Sequence, residues 1–271
     1  MFSVPPDRLD PVHREAFVVR SFDLDWNERV SVRALTGYLQ EAARVHAEQL
    51  GYGLTWLIER GLAWALHRMR VEWDAEPRLG ESIVVETWAS DHDRLNAYRD
   101  FEVTGEGGRP LGRATSAWVV FDALQRRAVK LPQEWIGAGI PLAERPRAVT
   151  FTKRKLIGVT AATTVRPFRV RLGDLDVNGH TNNARYVEWA IESVPSDLWG
   201  KHRLAALDIV FRAESLYDDE CTAESQRLEP GLFAHQIVRA RDGVELARAE
   251  TTWAVATSMP PGPIAAYLRA L

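Results

Sequence analysis

An internal repeat is the feature of this 271-residue chain that most constrains its fold. Residues Asp23–Asn27 read DLDWN, and residues Asp174–Asn178 read DLDVN, 151 positions later. The same spacing relates Glu41 to Glu192, and a similar secondary-structure pattern follows each copy. Self-similarity of this kind indicates that one structural unit occurs twice. The length suits two units of about 100–150 residues each.

Each copy of the repeat is followed by the pattern of an amphipathic helix. Apolar residues at steps of three and four predict one helix from about Ser31 to Leu50. They predict a second helix that begins at Asn182 or Asn183 and ends at Pro195. Strand patterns precede and follow the helices, at 17–22, 62–73, 82–90, 95–104 and 111–121 in the first half and at 164–170, 204–214, 219–228, 233–240 and 245–256 in the second.

The order strand, long helix, antiparallel strands predicts an α+β fold, in which the sheet of each half wraps around its helix. Such a unit leaves a sheet edge unpaired, so two units in one chain can complete a continuous sheet. We therefore predict a first half over 1–131 and a second half over 161–271. Between them, 132–160 contains three prolines and is predicted to be a short helix followed by a linker.

The composition excludes several classes of function. A formal net charge of −3 gives no reason to expect a nucleic acid partner. No stretch approaches about 18 uninterrupted apolar residues, so no membrane span is expected. The single cysteine, Cys221, cannot form an intrachain disulfide and fits a reducing cytoplasm. The first residues lack the pattern of a secretory or transit peptide, so we expect a cytoplasmic protein.

The two copies of the repeat differ in the residues that could carry chemistry. Asp176, Asn178 and His180 place a carboxylate, an amide and an imidazole within five residues, whereas Arg29 stands at the position of His180 in the first copy. These residues precede a predicted helix, whose free backbone N–H groups could stabilise an oxyanion. Gly179 would let the backbone approach a substrate closely. Aspartate and asparagine are also common in turns and helix caps, so the pattern alone permits a structural role.

A further carboxylate stands at the end of a predicted strand in the second half. Glu214 could meet the residues before the second helix there, orient His180 or take a proton from water. We predict Glu72 as its counterpart in the first half. A surface carboxylate at the end of a strand is the alternative interpretation of Glu214.

The second copy strongly resembles the signature of the acyl-ACP thioesterases. The resemblance rests on residues 174–195, on residues 64–72 and on residues 113–119, and it covers the chain from about 15 to 256. It implies a tandem (double) hotdog fold, hydrolysis of a fatty acyl thioester of acyl carrier protein (ACP), and no metal or organic cofactor. It also implies that Asp176, Asn178, His180 and Glu214 are catalytic.

One residue departs from the family pattern. Plant members typically carry cysteine after the glutamate, and this chain has Ser215. The departure favours water activated by a carboxylate over a cysteine nucleophile, although the sequence does not decide whether Asp176 attacks directly. With no transit peptide expected, a bacterial-type cytoplasmic enzyme is the better match. The first half, without histidine in its repeat, is predicted to bind the acyl chain through residues that would equally suit a plain core: Trp56, Leu57, Trp64, Leu66 and Met69.

Other functions and partners stay open. The chain could be an acyl-CoA thioesterase, an enoyl-thioester hydratase or a non-catalytic sensor of acyl thioesters. For an acyl-ACP hydrolase the partner is the acidic carrier protein. Residues 126–155 contain eight basic residues and two acidic ones, so this segment is either a docking patch for that partner or a solvated connector. The sequence does not distinguish a monomer from a homodimer.

Overall fold

The computed structural model of the chain describes residues 10–132, 142–198 and 201–256. In the first half the helices are α1 (Val32–Gln49) and α2 (Leu54–Ile58), and the strands are β1 (Val12–Val18), β2 (Leu62–Trp73), β3 (Ser82–His92), β4 (Asn96–Thr104), β5 (Pro110–Asp122) and β6 (Arg127–Val129). In the second half the helix is α3 (Asn183–Glu192), and the strands are β7 (Thr164–Arg169), β8 (His202–Phe211), β9 (Glu220–Glu229), β10 (Leu232–Arg239) and β11 (Glu245–Val255).

One antiparallel sheet of 11 strands runs through both halves. Its order is β1-β3-β4-β5-β2-β8-β11-β10-β9-β7, with β6 paired to β5. The strands of the second half thus repeat those of the first in reverse order about the central pair. In that pair β2 and β8 are antiparallel, with Arg68 opposite Val210. The predicted continuous sheet is confirmed, and its middle is the junction between the halves.

The two long helices begin where the sequence predicts. The Oγ of Ser31 accepts a hydrogen bond from the backbone N of Ala34 at 3.2 Å, and the Oδ1 of Asn182 accepts one from Ala184 at 2.9 Å. Such caps satisfy backbone donors that the first helical turn leaves unpaired. The apolar faces of both helices bury residues such as Leu39 and Val187 in one core with the sheet. Each fully buried side chain of this size contributes roughly 1.5–3 kcal/mol to stability.

The structure corrects some predicted bounds. The first strand ends at Val18 rather than Phe22, because residues Ser21–Asp23 form a 3-10 turn. The strand predicted over 204–214 ends at Phe211. Helix α2 and strand β6 were not predicted, since each is at most five residues long and shows no clear periodicity. The short helix predicted after residue 132 falls largely on 133–141, outside the described residues, and 142–160 contains neither helix nor strand.

Candidate active site

The second copy of the repeat forms a tight turn just before α3. The Oδ1 of Asp176 accepts hydrogen bonds from the backbone N of Asn178 at 2.8 Å and of His180 at 3.3 Å. The backbone N of Asp176 also donates to the carbonyl of His180 at 2.8 Å. Gly179 has a φ of 77°, a conformation that glycine adopts without strain. The carboxylate of Asp176 therefore fixes the loop that carries the amide and the imidazole.

The first copy keeps the same turn. The Oδ1 of Asp25 accepts from the backbone N of Asn27 at 2.8 Å and of Arg29 at 3.1 Å. Glu28 takes the place of glycine there with a φ of 61°. Since this copy has no histidine, these contacts explain the recurrence of the aspartate by structure alone.

Glu214 reaches the turn from the other side, as its place near the end of a strand predicts. Its Oε2 lies 3.2 Å from the Nε2 of His180. The two side chains are 29% and 39% exposed, so a substrate could approach them from solvent. Asn178 is also exposed. The structure thus pairs His180 with Glu214 at an open surface, and the exposed Asn178 lies in the same turn as His180 and Asp176.

The counterpart of Glu214 in the first half is Glu76, so the prediction of Glu72 is wrong. The backbone N atoms of Asp74 and Ala75 both donate to the carbonyl of Leu111, at 2.9 and 3.1 Å. Those of Arg212 and Ala213 both donate to Leu246 in the same way, at 2.8 and 3.3 Å. The next residue is a glutamate in each case. Residue 72 lies inside β2, and the local likeness of Arg-Val-Glu to Arg-Ala-Glu caused the misassignment.

Several backbone N–H groups of this turn already donate hydrogen bonds within the protein. Gly179 donates to the carbonyl of Asp176 at 3.0 Å, Thr181 to that of Ser215 at 3.0 Å and Asn182 to that of Asp174 at 2.9 Å. These contacts give no support to the expectation that backbone N–H groups near Gly179 assist catalysis, which stays a prediction.

Ser215 is fully buried and bonded away from the site. Its Oγ lies 2.8 Å from the hydroxyl of Thr181 and 2.8 Å from that of Tyr186. Its backbone N donates to the Tyr186 hydroxyl at 2.9 Å. Burial raises the pKa of the Cys221 thiol to about 11, so this cysteine is protonated at neutral pH. Neither residue is placed as a nucleophile.

A residue from the first half completes the surroundings of Glu214. The guanidinium of Arg126, in the turn between β5 and β6, forms an ion pair with the Oε1 of Glu214. Arg126 has a φ of 51°, and the turn is closed by Asp122, whose Oδ1 accepts from the backbone N of Leu124 and Gln125. From the sequence Arg126 is predicted only as part of a basic segment, because no local pattern indicates a contact with a residue 88 positions away.

Two of the predicted acyl-chain residues lie toward the same end of the central strand pair. Because Arg68 pairs with Val210, the part of β2 before Arg68 extends past the end of β8, toward Glu214. Trp64 and Leu66 belong to that part. The placement is compatible with an acyl-chain pocket beside the site.

The contacts of these side chains are also those of ordinary core residues. Leu66 and Met69 are buried in the main core, and Leu57 is buried as well. Trp56 packs under Arg60, whose guanidinium carbon lies 4.2 Å from the ring centroid. The role of all five residues in acyl-chain binding stays a prediction.

Two features of the described residues bear on partners and cofactors. Within 10–132, 142–198 and 201–256, no three His, Cys, Asp or Glu side chains are grouped so that they could hold a metal ion. In the same ranges, no helix has the length and apolar character needed to cross a membrane.

Comparison with known proteins identifies the family. The family model for the acyl-ACP thioesterase N-terminal domain matches residues 10–138, and that for the C-terminal domain matches residues 158–255. The chain belongs to the acyl-ACP thioesterase family. A relative of this family in Gossypium hirsutum, palmitoyl-acyl carrier protein thioesterase, chloroplastic, is 32% identical over 89% of the chain. The chain spans 63% of the length of that relative.

Solved structures of acyl-ACP thioesterases share the fold. The 12:0-ACP thioesterase from Umbellularia californica matches with a TM-score of 0.81 and 28% identity, over 91% of this chain and 98% of that one. An acyl-ACP thioesterase from Bacteroides thetaiotaomicron matches with a TM-score of 0.81 and 26% identity, over 90% and 98%. The predicted α+β tandem hotdog is confirmed.

Proposed function

We propose that this chain hydrolyses the thioester of a fatty acyl-ACP, releasing the fatty acid and the carrier protein. The observation that carries the proposal is the approach of His180 to Glu214 beside the exposed Asn178. A titratable pair of this kind occurs at only one of the two repeated turns, since the other pairs Arg29 with Glu76. Membership of the acyl-ACP thioesterase family supports the choice of a thioester as substrate.

In the proposed reaction the amide of Asn178 and the ring of His180 hold the thioester carbonyl. Glu214 accepts a proton from a water molecule as the water oxygen attacks the carbonyl carbon. The tetrahedral intermediate then expels the thiolate as the carbon–sulfur bond breaks. The thiolate takes up a proton, and a free acid and a free thiol result. The ring and the carboxylate together are suited to move that proton, because imidazole titrates near neutral pH.

Asp176 acts in this proposal as a positioning residue. One of its oxygens is already held by two backbone N–H groups, and the same contacts recur at Asp25, where no histidine follows. Because the aspartate has the same structural role in the copy without histidine, we assign it no bond to the substrate. Water is therefore the favoured nucleophile.

Acyl-CoA remains the second candidate substrate, since the hydrolytic side chains would act on the thioester group, which acyl-ACP and acyl-CoA share. The experiment is a measurement of free thiol released by the purified chain from matched acyl-ACP and acyl-CoA substrates of several chain lengths. We expect release from both and a higher kcat/KM for acyl-ACP. Preference for acyl-CoA would replace the proposed substrate, and conversion of an enoyl thioester without thiol release would indicate a hydratase.

The cytoplasmic location and the state of assembly are also proposals. A single, buried and unpaired cysteine supports a reducing compartment. His180, Glu214 and Arg126 all come from one chain, which supports a site that is complete in a monomer. Cell fractionation and a mass measurement in solution test the two statements, and a homodimer would be the alternative outcome of the second.

A further inference from the structure

We propose that Arg126 is a positioning residue of the active site, contributed by the first half to hold Glu214 against His180. The inference rests on the proposed function, because its consequence is measured as thioester hydrolysis. It assigns to the first half a part in the chemistry, beyond its predicted part in binding the acyl chain.

The two oxygens of Glu214 have different partners. Oε1 pairs with the guanidinium of Arg126, and Oε2 lies 3.2 Å from the Nε2 of His180. A carboxylate held at both oxygens has its plane fixed. Without Arg126 the carboxylate of Glu214 could rotate away from the ring of His180. The Glu214 side chain is 29% exposed, and strand β8 ends three residues before it, at Phe211. A misplacement of about 1 Å in a catalytic group can cost about 100-fold in rate.

The backbone at Arg126 supports a functional role. Its φ of 51° lies in the left-handed region, which glycine and asparagine occupy far more readily than arginine. The turn itself is closed by the side chain of Asp122 and does not need arginine at this position. Residues in sparsely populated backbone conformations cluster at functional sites, where the surrounding structure keeps them in place.

The first half shows a looser parallel around its own glutamate. The Oε2 of Glu76 lies 3.5 Å from the Nε of Arg29, which belongs to the repeated turn of the same half. Arg203 of the second half lines one cavity together with Arg29 and Glu76. Burial raises the pKa of Glu76, and the positive charge of Arg203 acts in the opposite direction. Arg203 is anchored there by donating to the carbonyl of Trp73 at 2.7 Å. Glu76 therefore has an ion-pair partner in the turn of its own half and feels the charge of an arginine from the other half, whereas Glu214 is in direct contact with both of its partners.

The experiment compares Arg126→Gly and Arg126→Lys with the wild type on a small acyl thioester and on acyl-ACP. Arg126→Gly should lower kcat roughly 10–100-fold on both substrates. Its melting temperature should stay equal or rise, because glycine accepts the local backbone. Added guanidinium should restore part of the activity, and Arg126→Lys should retain more activity than Arg126→Gly.

Glu28→Gly is the matched control. It replaces another left-handed residue, with a φ of 61°, in the turn that has no histidine. It should leave kcat within about twofold, as expected for a substitution remote from the reacting atoms.

Three outcomes would overturn the inference. Full activity of Arg126→Gly on the small thioester would show that Glu214 needs no help. Lost activity with a lowered melting temperature and no recovery in guanidinium would show a structural role only. A wild-type chain that releases no thiol from any substrate would overturn the inference together with the proposed function, whereas the first two outcomes leave that function intact.

Discussion

The Nε2 of His180 lies 3.2 Å from the Oε2 of Glu214. In the first half the Nε of Arg29 lies 3.5 Å from the Oε2 of Glu76. The duplicated fold thus holds two similar pairs, each between a turn residue and a glutamate beyond a central strand. An imidazole exchanges a proton near neutral pH, whereas a guanidinium stays protonated. Of the two turns, the one in the second half therefore carries the side chain suited to acid–base chemistry.

The matched glutamates test this asymmetry. Glu214→Gln keeps the size of the side chain and removes the proton acceptor, so kcat should fall about 10²–10⁴-fold while the chain stays folded. Glu76→Gln should change kcat little. Steady-state thiol release by both variants is the measurement, with circular dichroism to establish folding. Equal losses of kcat in the two variants would mean that Glu214 supports the folded structure rather than the reaction.

Ser215 should be dispensable for the chemistry. Ser215→Ala removes one partner of the buried Thr181 and Tyr186 hydroxyls, so stability should fall by about 1–3 kcal/mol while most activity remains. Denaturant unfolding measures the first effect, and thiol release measures the second. An acyl group trapped on Ser215 and found by mass spectrometry, with an inactive alanine variant, would establish a serine nucleophile and return Glu214 to a structural role.

Much of the fold follows from local signals. The helices that begin at Val32 and at Asn183 are predicted by their capping residues and by their apolar periodicity. The repeated turn follows from an aspartate that bonds its own backbone two and four residues later. The meeting of Glu214 with His180 follows because the end of a sheet strand and the start of the helix on that sheet lie together.

Other features depend on contacts that sequence does not encode locally. Glu76 is the counterpart of Glu214 because two successive N–H groups bond one carbonyl at the end of each central strand. That irregularity is a property of the paired strands. Likewise, Arg126 reaches Glu214 only because β2 and β8 join the halves. The hydrogen bonds of the backbone N–H groups near Gly179 also could not be predicted, because they depend on the folded conformation of the turn.

The basic segment can be tested apart from Arg126. Charge reversal at Arg127 and Lys130 should weaken kcat/KM for acyl-ACP, most clearly at low salt, because steering of an acidic partner is screened by ions. It should hardly affect a small acyl thioester. If both substrates suffer alike, or neither does, the segment is a solvated connector. Arg126 is left out because its contact with Glu214 would affect both substrates.

Two buried histidines make stability depend on pH. Burial lowers the pKa of His46 and of His235 to about 3, and both side chains are 1% exposed. In the unfolded chain a histidine has a pKa of about 6.5. The unfolded state therefore binds more protons between these values, and stability is lost as the pH falls below about 6.5. Each histidine contributes a slope of about 1.4 kcal/mol per pH unit in that window.

Denaturant unfolding at pH 7, 6 and 5 measures this slope. His235→Gln should reduce it, because one of the two protonation sites is removed. A free energy of unfolding that stays constant over this range would contradict the placement of two neutral histidines in the interior.

The most direct test of a single hydrolytic site in the second half is a comparison of His180→Ala with Arg29→Ala. The two substitutions remove corresponding side chains from the two turns. We expect the turnover of acyl-ACP by His180→Ala to fall about 100-fold or more, the usual effect of losing an acid–base or oxyanion group, with Arg29→Ala still active. Equal turnover by the wild type and His180→Ala would contradict the account.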